Sequence, residues 1–390
     1  MNFDLTDEQK LIIDTARHVG ERFGLDYWRA RDGAKEFPSA LWREICESGL
    51  CGVAIDEAYG GAGLGMLEMA MVVETLCAAG GGSTLSQLFM LNPIFGGITL
   101  SKFGTPDMKA DLLPKLLKGD AMFCMALTEP DAGSNTLAMR SFATEDSKGW
   151  RVSGQKIWIT CVPQASKMLL VARTKKLDDV ARKTDGISLF LIDVAREGLT
   201  HTAIDKVGTK TLPSSSVFLD NVRVEPHELI GELHSGWRQL LEVLNTERIV
   251  TTSGLVGTAE LATKLAVDYA NGRTVFGGKP IASYQGLQFP LAESFAQYQC
   301  ARLMNYKAAA LHDSGQAYGS EANTAKLLAS RAAALATDRA MQTMGGMGFA
   351  TESHVERLWR DARLFKFAPV SEEMVLNYIA QHDLGMARSY

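Results

Sequence analysis

The sequence lacks the patterns of a disulfide framework or a metal site. Its six cysteines are scattered at positions 46, 51, 77, 124, 161 and 300, with no C-x-x-C pair. This scatter indicates reduced thiols. The seven histidines are equally dispersed, with no H-E-x-x-H motif and no Cys/His set at metal-ligand spacing. We therefore predict no metal.

A concentrated positive charge and a long apolar run are missing as well. The net charge is −5, and the densest basic stretch, ARTKKLDDVARK at 172–183, alternates with acids, so we expect no nucleic-acid binding. No apolar run approaches the ~20 residues of a membrane span. The acidic N-terminus MNFDLTDEQK has neither signal-peptide nor transit-peptide character. These features predict a cytoplasmic protein that starts at Met1.

Three nucleotide-binding and hydrolase motifs are also absent. No G-x-G-x-x-G follows a predicted strand, and there is neither a P-loop nor a G-x-S-x-G elbow. A Rossmann nucleotide site therefore has no support in the sequence.

The periodicity of apolar residues divides the 390 residues into three segments. Residues 1–122 have a helical pattern, which opens with a capping box of Thr6 and Gln9. Residues 123–235 contain four short β-branched and aromatic runs, which predict an antiparallel sheet or small barrel. Residues 236–390 return to long amphipathic helices, with alanines that allow close helix packing. We predict a mainly α, α+β fold: a helical domain, a β domain and a C-terminal four-helix bundle.

Three stretches combine features that suit a ligand site. They are MALTEPDAGSNT at 125–136, GQKIWITC at 154–161 and MQTMGGMGFATESHVERLWRDARL at 341–364. Each has a plain structural interpretation: a loop of turn-forming residues, an aromatic side chain in a strand core, and a helix end followed by a charged helical face. Each stretch alone is therefore a weak signal.

Taken in this order and spacing, the stretches resemble the acyl-CoA dehydrogenase family. Further matches run from end to end, and include VAIDEAYGGAGLG at 53–65, TERIV at 246–250 and GRTVFGGKPI at 272–281. The resemblance covers essentially the whole chain. It implies the three-domain fold described above, bound FAD, and a homotetramer built as a dimer of dimers.

The resemblance also assigns cofactor-binding positions. It places Leu127 and Thr128 at the flavin ring, Trp158 and Thr160 on the other side of that ring, and Ser134 between the flavin and the CoA thioester. Other positions fall at the FAD of a neighbouring subunit or at the adenosine portion of FAD. The first set is Arg273, Phe276, Gln342, Gly345 and Gly346, and the second is Ser371 and Glu373.

The usual catalytic base of the family is missing. The family removes the proton α to a thioester, which requires a carboxylate of raised pKa, and transfers a hydride from the β carbon to flavin N5. In many members this carboxylate follows a Tyr in a Y-E-G-T motif. Here Ala368 and Pro369 occupy those two positions, and proline cannot accept a proton.

A second arrangement in the family, that of the isovaleryl-CoA and long-chain branches, takes the base from a Glu that precedes an Arg. By this resemblance Glu247 is the base, Arg248 orients it and Asn245 meets the CoA. Two alternatives stay open at this point. Glu247 could pair with a basic neighbour at a helix surface, or Glu372 or Glu373 could reach the substrate after a rearrangement of the loop.

The resemblance implies an FAD-dependent acyl-CoA dehydrogenase that passes electrons to an electron-transferring flavoprotein. Because Pro369 stands where the family usually has its catalytic Glu, two other activities stay open. They are those of a crotonobetainyl-CoA-type enoyl-CoA reductase and of a non-oxidising acyl-CoA lyase or desulfinase. A hypothesis of another class is a catalytically silent subunit that binds flavin or CoA.

Overall fold

The computed structural model describes residues 4–388, and its first part is helical. Helix α1 begins at the predicted capping box, where the Thr6 hydroxyl accepts a hydrogen bond from the Gln9 N–H at 3.1 Å and the Gln9 side chain accepts one from the Thr6 N–H. Two π-helical segments, Cys77–Gly81 and Met90–Ile98, flank α5. The helices are α1 (Asp7–Arg22), α2 (Leu25–Ala34), α3 (Ser39–Glu47), α4 (Met66–Leu76), α5 (Gly82–Phe89), α6 (Thr99–Phe103) and α7 (Pro106–Leu117).

The middle segment forms a mixed sheet. In the described chain it has eight strands in the order β6-β7-β3-β2-β4-β5-β8, with β1 paired to β4. The four predicted strands correspond to β3, β4, β5 and β7. The expectation of a purely antiparallel sheet is wrong, because β1 runs parallel to β4. The strands are β1 (Phe123–Ala126), β2 (Phe142–Asp146), β3 (Gly149–Thr160), β4 (Lys167–Arg173), β5 (Ile187–Asp193), β6 (Leu199–Ile204), β7 (Ser214–Val224) and β8 (Leu229–Ile230).

The last segment is a helical bundle. Helices α8, α9 and α10 pack on one another along their lengths, and the shorter α11 and α12 pack against α10. A small antiparallel hairpin of β9 and β10 follows α8. The elements are α8 (Gly236–Gly272), β9 (Thr274–Val275), β10 (Lys279–Pro280), α9 (Gln285–Asp313), α10 (Gly319–Met344), α11 (Val355–Leu364) and α12 (Glu372–Tyr378).

The largest hydrophobic core runs through all three segments. It joins Leu113 of the first segment and Leu169 of the sheet to Leu240 and Val250 of α8. Helix α8 is therefore fixed against both the sheet and the first helices. Between Asp4 and Arg388, no helix combines the length and the apolar content that a bilayer crossing requires.

Two residues of the charged face predicted on α11, Arg357 and Asp361, are buried, whereas Arg363 is exposed. The Arg357 guanidinium donates to the carbonyls of Gly80 at 2.6 Å and Gly81 at 3.2 Å. Asp361, one turn later, accepts hydrogen bonds from the Thr84 hydroxyl at 2.7 Å and the Thr209 N–H at 2.5 Å. These contacts tie α11 to the first helices and to the β segment, because buried charges need such partners.

Glycine 257 sets how closely α8 approaches α4. A Cβ at this position would lie 2.4 Å from the carbonyl oxygen of Glu74 and 2.9 Å from the amide nitrogen of Ala78. We expect Gly257→Ala to destabilise the fold by about 1–3 kcal/mol, because backbone rather than a flexible side chain is in the way. Thermal unfolding measures this effect. The matched control is Gly286→Ala near the start of α9, where nothing lies within 4 Å of the added Cβ and where alanine favours the helix. A Gly257→Ala protein as stable as this control would contradict the interpretation.

Candidate active site

The 125–136 stretch and strand β3 lie side by side. The Ile157 N–H donates to the Thr128 carbonyl at 2.9 Å, and this bond holds Leu127 and Thr128 beside Trp158 and Thr160. The side chains of Leu127, Thr128 and Thr160 are half-buried. Four predicted residues therefore share one region, and the fifth, Ser134, lies in the exposed part of the same loop.

A β-bulge in β3 turns an aromatic ring outward. The pairing of β3 with β7 shifts register between Lys156 and Ile159, and Trp158 inside this irregularity has φ +64°. Its side chain is 55% exposed, whereas Ile159 is buried. Bulges commonly redirect a side chain at functional sites. Here the bulge presents a large flat indole ring on which another aromatic ring could stack.

A buried ion pair holds the loop that carries Leu127 and Thr128. Lys156 is completely buried, and its ammonium donates to the Leu127 carbonyl at 3.0 Å and to Glu129 Oε1 at 2.8 Å. The Glu129 carboxylate also accepts the N–H groups of Arg140 at 2.6 Å and Ser141 at 2.9 Å. Burial opposes the charge of Glu129, but Lys156 and the Arg140 N–H outweigh it and lower its pKa.

Sequence reasoning did not identify Lys156 or Glu129 as site residues. One signal was available: Lys156 lies four residues after Val152 in the predicted strand, so regular alternation puts both side chains on the same, inward face. A buried lysine in turn requires an acidic partner.

Glu247 lies inside the protein, on the first half of α8. It is 1% exposed and accepts a hydrogen bond from the Thr251 hydroxyl at 2.5 Å. Burial raises its pKa to about 6, although Thr251 and the cations Arg248 and Lys326 oppose the shift. Glu247 therefore does not lie at a helix surface, as the ion-pair alternative required.

Arg248 and Asn245 lie together beside Glu247. The Arg248 guanidinium donates to Asn245 Oδ1, and burial lowers the pKa of Arg248. Its Nε is buried without a hydrogen-bond partner among residues 4–388. Tyr318, at the N-cap of α10, places its Oη 3.1 Å from the Thr246 hydroxyl. These groups form a polar cluster with an unused donor.

The 365–370 loop, where relatives with Y-E-G-T carry the base, has no carboxylate of its own. Ser371 caps α12 by accepting the Met374 N–H at 3.3 Å, and Glu373 is exposed in the first turn. The other alternative base, Glu372, is buried and accepts hydrogen bonds from the Ser330 hydroxyl at 3.0 Å and Arg331 Nε at 3.4 Å. Glu372 is thus held against α10.

The remaining predicted residues lie at the opposite end of the bundle. Helix α8 runs 25 residues from Glu247 to its end at Gly272, which at 1.5 Å per residue is roughly 38 Å. Arg273 follows directly, and Phe276 is 93% exposed with φ +43°. Three further predicted residues are exposed at the corresponding end of α10 and just beyond it: Gln342, Gly345 and Gly346. Within one chain, the predicted site residues therefore fall into two groups, one near Glu247 and one at the far ends of α8 and α10.

Comparisons with known proteins agree with this architecture. Family models of the acyl-CoA dehydrogenase N-terminal, middle and C-terminal domains match residues 6–120, 124–222 and 234–384. The acyl-CoA dehydrogenase FadE12 of Mycobacterium tuberculosis is 37% identical over 393 residues, covering 100% of this chain and 99% of the relative. The chain belongs to the acyl-CoA dehydrogenase family. It is an FAD-dependent oxidoreductase of that family.

Other acyl-CoA dehydrogenases align over nearly their full lengths. The bovine mitochondrial short-chain specific acyl-CoA dehydrogenase is 33% identical, with 99% of this chain and 92% of the relative covered. Among solved structures, a glutaryl-coenzyme A dehydrogenase superposes with a TM-score of 0.94 at 29% identity, covering 100% of this chain and 98% of that one. Butyryl-CoA dehydrogenase from Megasphaera elsdenii gives 0.93 at 28%, covering 99% and 100%.

The residues around Trp158 suit a flavin. An exposed indole on a bulged strand offers a stacking surface, and half-buried Thr128 and Thr160 on the adjoining loop and the same strand carry hydroxyl groups. Stacking of a second flat ring on an indole is energetically favourable. Within residues 4–388, no cluster of three or more His, Cys, Asp or Glu side chains has a geometry suited to a metal ion.

The Lys156–Glu129 pair provides a stability test. We expect Lys156→Met to cost about 3–5 kcal/mol, because it leaves the Glu129 carboxylate buried without its cation, and to lower the FAD content of the purified protein. Urea unfolding and the ratio of flavin to protein absorbance measure the two effects. Glu129→Gln in the Lys156→Met background should restore part of the stability. The control is Lys115→Met, which removes an exposed pair with Asp111. A Lys156→Met protein that resembles this control would refute the role assigned to the pair.

Proposed function

We propose that this protein desaturates an acyl-CoA between Cα and Cβ, with Glu247 as the base that removes the α proton. The observation that carries the proposal is the burial of Glu247 with its pKa raised to about 6, next to a loop with Pro369 in the position where relatives with Y-E-G-T have their base. The chain is thus an atypical member of its family that resembles the isovaleryl-CoA dehydrogenase type.

A raised pKa suits this step. The α proton of a thioester is weakly acidic, so a carboxylate of higher basicity removes it more readily. Near neutral pH a carboxyl group with a pKa of about 6 is still largely ionised, and the apolar surroundings that raise the pKa also exclude water. Thr251 donates to one oxygen of Glu247, which fixes the direction of the carboxylate.

The other predicted residues hold the ligands. When bound, FAD supplies the acceptor for the β-hydride. The flavin ring would be held by Leu127, Thr128, Trp158 and Thr160, and the adenosine portion by Ser371 and Glu373.

The CoA thioester would be contacted by Ser134, Asn245 and Arg248. The unpaired Nε–H of Arg248 supports a polar contact there.

The second group of residues implies a second subunit. Arg273, Phe276, Gln342, Gly345 and Gly346 would contact the FAD of a neighbour, since roughly 38 Å of α8 separates them from Glu247. An arginine there suits a pyrophosphate, because a guanidinium binds phosphate oxygens in a fork. The proposed assembly is a homotetramer arranged as a dimer of dimers.

The proposed electron acceptor is an electron-transferring flavoprotein. A chain from a study of the electron transferring flavoprotein of Acidaminococcus fermentans supports this choice, since it superposes with a TM-score of 0.93 at 28% identity over 98% of this chain. The proposed location is the cytoplasm. The six free cysteines within residues 4–388 fit a reducing compartment.

Anaerobic reduction of the bound flavin tests the base. We expect Glu247→Gln to retain FAD but to lose at least about three orders of magnitude in the rate of flavin bleaching by a saturated acyl-CoA, because the amide cannot accept the proton. The panel comprises butyryl-, octanoyl-, isovaleryl-, cyclohexanecarboxyl- and betainyl-CoA. Glu242→Gln, an exposed position on the same helix, is the matched control, and Glu372→Gln tests the alternative base.

Two outcomes would contradict this assignment. Bleaching of Glu247→Gln at the parent rate would remove Glu247 as the base. Parent enzyme that stays yellow with every saturated thioester, but is reoxidised by an enoyl-CoA after chemical reduction, would favour a reductase instead.

Complementation tests the proposed second subunit. Arg273→Ala and Glu247→Gln should each be inactive as homomers, the first through poor retention of FAD. Co-expressed as mixed tetramers, they should recover part of the activity, because some sites combine Glu247 of one subunit with Arg273 of its neighbour. Lys264→Ala, an exposed cation on the same helix, is the control. Mixed tetramers without recovered activity would show that Arg273 does not act across subunits.

A further inference from the structure

The buried lysine Lys326 links the region of the proposed base, Glu247, to the 365–370 loop, which has no carboxylate. Lys326 of α10 has no exposed surface, and its ammonium donates to the carbonyls of Phe365 at 2.7 Å and Val370 at 2.6 Å. These two carbonyls belong to the connection between α11 and α12 and lie on either side of Ala368 and Pro369. One side chain therefore fastens both ends of the loop to the bundle.

The charges around Lys326 come from two helices. From α8 it faces Glu247, whose negative charge favours its ionised form, and Arg248, whose positive charge opposes it. From α12 it faces the carboxylates Glu372 and Glu373. Burial dominates and lowers the pKa of Lys326 to about 8, so that the ammonium form still prevails at neutral pH.

Its two carbonyl acceptors cannot neutralise the ammonium charge. A buried cation is tolerated where anions lie nearby, and Glu372 already accepts hydrogen bonds from Ser330 and Arg331. Glu247 in turn receives a single neutral donor, Thr251, in the described contacts, so it depends on nearby cations for its charge. Helices α8 and α10 pack on each other, and the attraction between Glu247 and Lys326 favours the charged form of each.

We propose that Lys326 is a positioning residue: its ammonium fastens the 365–370 loop to α10 and supplies positive charge that lets Glu247 ionise inside the protein. The importance of this ionisation for catalysis rests on the proposed function. The contacts of Lys326 with the loop do not. Because the 365–370 loop has no carboxylate, its proposed role is to keep a fixed position. The proposed base, Glu247 on α8, must then be the group that is charged.

Two substitutions separate these roles. Lys326→Gln keeps N–H donors for the loop carbonyls but removes the charge, whereas Lys326→Met removes both. The FAD-loaded enzyme is used for each, and Lys307→Met, an exposed position on α9, is the control. Two measurements need no substrate. Hydrogen–deuterium exchange follows residues 365–370, and infrared difference spectra against Glu247→Gln follow the protonated carboxyl band of Glu247 between about pH 5 and pH 8.

We expect the midpoint of the carboxyl band to rise by about half a pH unit or more in both Lys326 variants, because a nearby cation favours the carboxylate. Exchange in the loop should increase about tenfold in Lys326→Met and clearly less in Lys326→Gln, because only methionine leaves both loop carbonyls without a donor. If Lys326→Met fails to fold, the Lys326→Gln midpoint still decides the charge role.

An unchanged midpoint in Lys326→Gln would overturn the charge role, and unchanged exchange in Lys326→Met would overturn the role in the loop. Failure of the proposed base is a separate result. It would show as full flavin reduction by Glu247→Gln, whatever the Lys326 variants do.

Discussion

The buried contacts of Arg357 and Asp361 fix the position on which the candidate active site depends. Arg357 bonds to the backbone of Gly80 and Gly81, and Asp361 bonds to Thr84 and Thr209. Since α11 leads directly into the 365–370 loop, these contacts determine where that loop begins. Lys326 then fastens the loop to α10, opposite α8. The position of the 365–370 loop thus follows from charges that cannot be buried without partners.

Much of the fold could be predicted from the sequence, because local patterns of apolar and turn-forming residues indicate its helices and strands. The Thr6–Gln9 cap, the long helices and strands β3, β4, β5 and β7 follow from periodicity and turn residues. Strand β1 was missed, since its four residues FCMA are all buried and show no alternation. Its parallel pairing with β4 joins residues more than forty positions apart, and local patterns carry no information about that.

The candidate site could be predicted only in part. The resemblance pointed to Glu247 and to the flavin positions. The sequence gives no sign that Glu129 and Lys326 are buried, and for Lys156 the only sign is the alternation along β3. Their burial depends on contacts 27 to 44 residues away along the chain. The separation of Arg273 from Glu247 likewise follows from the unbroken length of α8, and it makes one chain an incomplete site under the proposed function.

Exchange of the α proton tests the central claim most directly, since it isolates the step assigned to Glu247 from electron transfer. The enzyme would be incubated in D₂O with the saturated acyl-CoA that bleaches its flavin best, and deuterium at Cα of the recovered thioester would be measured by mass spectrometry. The account predicts incorporation with the parent and with Glu242→Gln, and none above background with Glu247→Gln. Equal incorporation with Glu247→Gln would contradict it, and would place the base elsewhere in the site.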